Sequence, residues 1–212
     1  MVAPSRPYWR RLASNVRRWL REHKEGVLWT FHGRPVPPPA HVKRAFLRAH
    51  ARRHGLRVFI ETGTLYGDTL AALRNTFDTL HSIELSRELY ERASARFAGD
   101  ARIHLWWGDS GDVMPRVLET IHQPALFWLD GHYSGEGTAR GVLDTPICHE
   151  ISHISKHPLR GKHLVMIDDA RCFNGHNGYP DLKQLRQLAL TLGFVNIATW
   201  YDCIILRCIP VL

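Results

Sequence analysis

Glu61, Glu84, Asp109, Asp130 and the pair Asp168-Asp169 each stand at the end of a short apolar run. If those runs are strands of one sheet, five acidic strand ends share a single rim. Such a concentration of negative charge is costly unless cations or hydroxyl donors neutralise it. The first of these ends opens the turn Glu61-Thr62-Gly63-Thr64-Leu65-Tyr66-Gly67-Asp68-Thr69. Its glycines allow a tight turn and a close approach of backbone to a ligand, which makes Glu61, Thr62, Gly63, Thr64, Gly67, Asp68 and Thr69 candidate ligand contacts.

The glycine spacing is GxxxG, not the GxGxxG of a dinucleotide fingerprint, and no GK[ST] follows as in a P-loop. A pyrophosphate ligand is therefore disfavoured. Glu84 lies 21 positions after Gly63, where a carboxylate at a second strand end accepts both ribose hydroxyls of a nucleoside. Asp109 and Ser110 follow the third strand and are placed to meet the base. A nucleoside without pyrophosphate points to S-adenosylmethionine as cofactor.

These positions require a scaffold that brings distant strand ends together. Strands are expected near 57–61, 79–84, 102–107, 124–130, 163–168, 194–200 and 203–208, with helices near 67–77, 86–97, 111–121, 144–157 and 181–192. Apolar strands alternating with helices predict a parallel sheet covered on both faces. Only Tyr201-Asp202 separates the last two strands, too little for a crossover, so they are expected to be antiparallel. The fold class is α/β: a Rossmann-like doubly wound sheet of about seven strands, mostly parallel with an antiparallel C-terminal strand, plus a basic helical N-terminal extension. Ligands of such sheets bind outside the carboxyl ends of the strands.

The extension is assigned to residues 1–54 and the cofactor-binding domain to 55–212. Residues 8–23 carry Trp9, Leu12, Val16, Trp19 and Leu20 at helical spacing among arginines, the pattern of an amphipathic helix. The Gly33-to-Pro39 run is a stiff linker, and a second basic helix over about 41–54 stops at Gly55. Residues 1–60 have a net charge of +12 and the rest −4, within a total of +8. A basic arm beside an acidic domain suggests an anionic neighbour such as nucleic acid or an acidic substrate, or else a solvated helix face. No apolar run is long enough for a membrane helix and the first residues lack a secretory core. Four cysteines without a CxxC pair suit free thiols. The expected location is the cytoplasm, and a homodimer is compatible with the reading.

Residues 56–175 resemble class I methyltransferases. The segments ETGTxxGDT, SIELS, GDS, LDGHYSGxGTARG, DTPI and IDDARCF are similar to those of a group of bacterial methyltransferase-like proteins. More distantly, the layout resembles metal-dependent O-methyltransferases of the macrocin and catechol types. Those enzymes place one metal-binding Asp after strand four and an acidic pair after strand five, which implies Asp130, Asp168 and Asp169 here. Macrocin-type enzymes carry a general-base Asp two residues after the first metal Asp, where this chain has His132. Three carboxylates suit a hard cation such as Mg²⁺, and His132 is a candidate proton acceptor near neutral pH. Asp130 and His132 are thus the catalytic candidates. The small-residue run Gly131 to Gly141 reads as a loop over the site, with Tyr133, Ser134 and Arg140 available to substrate.

His149-Glu150-Ile151-Ser152-His153 satisfies the HExxH pattern of zinc proteases. It falls in a crossover helix expected to pack on the sheet, with no evident third ligand, and a metalloprotease reading is set aside. Trp106 and Trp107 are expected in the core rather than at a cofactor edge. The leading expectation is metal-assisted O-methylation of a hydroxylated small molecule or glycan. Its rivals are a metal-independent N-methyltransferase and a nucleic-acid-binding or -modifying protein that uses the basic arm.

Overall fold

The computed structural model describes residues 17, 20–21, 24–131, 145–176 and 178–208. The elements are α1 (helical over 24–31), α2 (Ala40–His54), β1 (Val58–Thr62), α3 (Asp68–Leu73), β2 (Thr79–Glu84), α4 (Arg87–Phe97), β3 (Ile103–Trp107) and α5 (Ser110–Glu119). They continue with β4 (Ala125–Leu129), α6 (Ile147–Lys156), β5 (Leu164–Ile167), α7 (Leu182–Thr191), β6 (Phe194–Trp200) and β7 (Cys203–Cys208).

The seven strands form one sheet in the order β3-β2-β1-β4-β5-β7-β6. β1 to β5 run parallel, while β7 lies antiparallel between β5 and β6. This is the mostly parallel Rossmann-like sheet that the alternation of strands and helices predicts, including the antiparallel C-terminal strand. Strand order reverses between β1 and β4, so the crevice at their carboxyl ends is the natural ligand position.

Alternate residues along each strand supply two cores. Ile60, Phe127, Val165 and Ile167 face α5, α6 and α7, meeting Val113, Met114, Ile151 and Leu185. Phe59, Leu126, Trp128 and Met166 face the other way, onto Leu47, Leu70, Leu73 and Phe97 from α2, α3 and α4. Full burial on both sides explains why these strands read as continuous apolar runs.

The arm belongs to the second core. Leu47 and Ala51 of α2 are each only 1% exposed. Gly55 ends α2 in the left-handed conformation, φ 62°, and its amide bonds back to the last helical turn. Arm and C-terminal hairpin are further joined by the Phe46–Trp200 stack, with ring centroids 4.1 Å apart, and by an Arg34 hydrogen bond to the Tyr201 hydroxyl.

Two boundaries differ from the sequence expectation. The helix expected over 8–23 falls largely outside the described residues, and helix continues over 24–31, up to the Gly33–Pro35 stop. α3 ends at Leu73 rather than near 77. Asn75 and Thr76 are poor helix formers, and Phe77 must drop into the core at 1% exposure before β2 begins. Among the described residues no helix is long and apolar enough to cross a membrane.

Candidate active site

The turn after β1 is fastened to β4 at the sheet's switch point. Thr62 Oγ1 accepts hydrogen bonds from the amides of Asp130 and Gly131, both at 3.1 Å. Gly63 follows with φ 83°, and a Cβ there would lie 2.7 Å from the Asp130 carbonyl oxygen. Only glycine fits this approach, which leaves Gly63, Leu65 and Tyr66 facing solvent at the rim.

Glu61 lies beneath them, 1% exposed. Its Oε1 accepts from Ser82 Oγ at 2.7 Å, and Ser82 Oγ is 2.5 Å from Thr64 Oγ1. Burial, reinforced by nearby Glu84 and opposed by the Ser82 bond, pushes the Glu61 carboxyl up to about 8. Glu61 and Thr64 therefore form a buried polar support for the turn.

Glu84 ends β2 with both carboxylate oxygens oriented by backbone amides. Leu65 N donates to Oε2 at 2.8 Å and Ser86 N to Oε1 at 2.9 Å. The carboxylate thus ties the glycine turn to the second strand end, next to the exposed turn. Each oxygen retains a lone pair for a further donor such as a ribose hydroxyl.

The remaining nucleoside candidates take local roles. Asp109 caps α5, its Oδ1 accepting from Gly111 N at 2.8 Å. Ser110 is buried and donates to Glu150 Oε1 at 2.6 Å. Gly67 caps α3 in the left-handed conformation, and Asp68 faces outward to Arg96, 2.9 Å away. Thr69 lines the cavity described below.

At the ends of β4 and β5, Asp130, Asp168 and Asp169 each offer an oxygen within 4.8 Å of the others. Basic groups from α2 and from the turn after β5 meet them. Lys43 of α2 reaches across, its Nζ 2.6 Å from Asp168 Oδ2 and 3.2 Å from Asp169 Oδ1. Arg171 Nη1 lies 2.7 Å from Asp169 Oδ1 and also pairs with Asp202 of the β6–β7 turn. Burial would lower the Lys43 pKa, but Asp168 and Asp169 more than offset it and hold the ammonium above its ordinary value. Burial and Asp169 raise Asp168 to about 6, against the opposing pull of Lys43. Asp169 holds φ 55°, a left-handed conformation tolerated by aspartate better than by most residues.

A cavity of about 350 Å³ opens above this cluster. It is lined on one side by Asp130, Asp168 and Asp169 and on the other by Pro37, Pro38 and Lys43 of the arm. The arm thus forms one wall of the space beside the acidic triad. Proximity in sequence could have indicated Arg171, two residues after Asp169, whereas no sequence signal links position 43 to 168.

His132, Tyr133, Ser134 and Arg140 lie outside the described residues, as does most of the Gly131-to-Gly141 loop. In the HExxH segment, Glu150 is buried against Ser110; among the described residues no third ligand completes a metal group with His149 and His153. Trp107 departs from its expected core position. It is 50% exposed, donates to the Leu85 carbonyl and lies under Arg87, because its place at the end of edge strand β3 leaves no layer to cover it. Trp106 points inward, is partly buried and donates to His81 Nδ1.

The strand order and its reversal at β1/β4 define the Rossmann-like methyltransferase fold. Solved structures similar to this chain include O-methyltransferase TomG from Streptomyces achromogenes in complex with S-adenosylmethionine, 18% identical over 88% of each chain with a TM-score of 0.57. The S-adenosylhomocysteine-bound methyltransferase PaMTH1 from Podospora anserina is 13% identical over 98% of each chain, TM-score 0.56. An O-methyltransferase from Bacillus cereus, also with S-adenosylhomocysteine, is 13% identical over 87% of this chain and 88% of its own, TM-score 0.58. No family model and no curated protein matches the chain. At these identities the likeness carries the fold.

Proposed function

We propose that the protein is an S-adenosylmethionine-dependent methyltransferase directed at a hydroxyl of a small molecule or glycan, assisted by a divalent cation. The observation that carries the cofactor reading is the Gly63 turn held open beside Glu84, with Glu84 oriented by Leu65 N and Ser86 N. A carboxylate so fixed suits a ribose diol, and the exposed glycine turn lets a ligand approach the backbone. Structures of the same fold that hold S-adenosylmethionine or S-adenosylhomocysteine support the choice of cofactor.

The donor set fits a hard cation. Three carboxylate oxygens lie within 4.8 Å of one another, and the charges of Asp130, Asp168, Asp169, Asp202, Lys43, Arg44 and Arg171 around the cavity sum to −1. Asp130, Asp168 and Asp169 would hold the ion, which supplies Lewis-acid polarisation of an acceptor oxygen. The chain's own residues do the rest. Pro37, Pro38 and Trp128 bound the acceptor space, excluding water from one side of it. His132 takes the proton of the acceptor hydroxyl. The Gly63 turn and Glu84 would hold S-adenosylmethionine, which would supply the methyl group to the acceptor oxygen, a displacement that needs alignment more than covalent catalysis.

The test is calorimetric titration of the full chain with S-adenosylhomocysteine and, separately, Mn²⁺. Micromolar-range binding of the nucleoside is expected, together with Mn²⁺ binding that Asp168→Asn abolishes. Absence of nucleoside binding sinks the cofactor reading, and Mn²⁺ binding that survives Asp168→Asn removes the ion from the triad.

A further inference from the structure

We propose that Lys43 is the resident counter-ion of Asp168 and Asp169 and yields that place to a divalent cation, so that cation binding loosens the seating of α2 on the strand rim. This rests on the triad being the cation site, and it adds a residue from the arm that competes for it.

The geometry makes the two occupants mutually exclusive. Asp168 Oδ1 accepts from the amide of Asp169, at 2.8 Å, which leaves Oδ2 as the oxygen without a backbone donor. That is the atom Lys43 holds at 2.6 Å, while the same Nζ reaches Asp169 Oδ1 at 3.2 Å. An ion bridging these carboxylates would sit within about 2.0–2.6 Å of their oxygens, in the space the ammonium fills. Two cations so close repel, and one must leave.

The charge balance favours the exchange without forcing it. With Lys43, Arg44 and Arg171 in place the seven side chains around the cavity sum to −1, and exchanging the ammonium for an ion of charge +2 brings the sum to 0. Arg171 is poorly suited to move because it is also paired with Asp202, which is 2% exposed. Lys43 has no such second anchor among the described residues and sits on a flexible four-carbon stem, a point charge able to swing out.

The movement has a defined extent. Leu47 and Ala51 fix the later turns of α2 in the core. The first turn, with Pro37 and Pro38 before it, lines the cavity and meets the acidic rim through Lys43. Release of Lys43 therefore loosens residues 37–44 and widens the acceptor space while the body of the helix stays docked. Linkage requires the converse: whatever frees Lys43 tightens the cation.

Mn²⁺ titration by calorimetry on the full-length wild type, Lys43→Met, Lys43→Gln and Lys43→Arg tests the exchange, with circular dichroism to verify folding and amide hydrogen exchange over 35–47 to follow the arm. Either neutral variant is expected to bind Mn²⁺ at least about fivefold more tightly than wild type, with Lys43→Arg close to wild type. Mn²⁺ should speed exchange over 35–47 in wild type and leave it unchanged, already fast, in the neutral variants. Equal or weaker Mn²⁺ binding by a folded neutral variant overturns the competition while leaving the cation reading intact. Failure of every chain to bind Mn²⁺ removes the cation reading itself, and the exchange with it.

Discussion

Single residues at this rim are set by what surrounds each of them, and Glu61 is the clearest case. Its carboxyl holds a proton up to about pH 8 in the fold because it is buried, whereas the unfolded chain releases it near 4.5. Between those values the folded state binds more protons than the unfolded one, so this group makes stability fall as pH rises, and the loss is complete above 8. Glu61→Gln keeps the acceptor for Ser82 and removes the titration. Urea unfolding from pH 5 to 9 should show the variant gaining on wild type through that window by a few kcal/mol, since each tenfold change in an acidity constant is worth about 1.4 kcal/mol. Parallel stability curves would mean that Glu61 is ionised in the fold. Glu84 invites a different measurement. Glu84→Ala should weaken S-adenosylhomocysteine by about 1.5–3 kcal/mol in calorimetry, the scale for losing a charged acceptor, and unchanged affinity would take Glu84 out of the site. The acidic strand ends were legible from sequence because each closes an apolar run. Their partners were not: Ser110 turning to Glu150, or Lys43 to Asp168, are contacts between positions 40 and 125 apart.

At the level of elements, the apolar runs and helical patterns located all seven strands and the helices between them to within a few residues. They did so because strands buried on both faces must be apolar throughout, and turns must break that run. The pattern failed where packing overrides it, as in α3, cut short so that Phe77 can enter the core. It also could not reveal that β7 is inserted between β5 and β6. Two antiparallel strands at the end of a chain can be added to a sheet edge in either order, and apolarity does not distinguish them. The β1–α3 turn carries the most constrained backbone near the site. Gly63→Ala would place a methyl 2.7 Å from the Asp130 carbonyl at a positive φ. Left-handed strain and the clash together predict a loss of about 2–4 kcal/mol by urea unfolding, with cofactor affinity falling alongside it. A variant of native stability would show that β4 can give way there.

For the molecule as a whole, the decisive relation is between the basic arm and the domain it covers. The charge pattern pointed equally to a solvated helix or to an anionic partner, and the structure turns Lys43 inward while α2 buries Leu47. Leu47 alone contributes about 2–3 kcal/mol by burial. Deletion of residues 1–54 is therefore expected to lower the melting temperature by about 5 °C or more and to increase light scattering from the uncovered apolar face. A truncated chain that stays monomeric with its melting temperature unaltered would make the arm an independent binding element. The position of β7 has a consequence of another kind, for the order in which the chain leaves the ribosome. β7 is the last strand among the described residues, yet it is interior to the sheet, with β5 on one side and β6 on the other. Until it emerges, β6 has no neighbour to pair with and β5 is left as an open edge, so a nascent chain that has already synthesised its whole rim of acidic residues cannot yet close the sheet beneath them. Ribosome-stalled chains ending before Cys203 should thus be degraded by protease well beyond β4, and chains with β7 clear of the exit tunnel should resist it over the full length of the sheet.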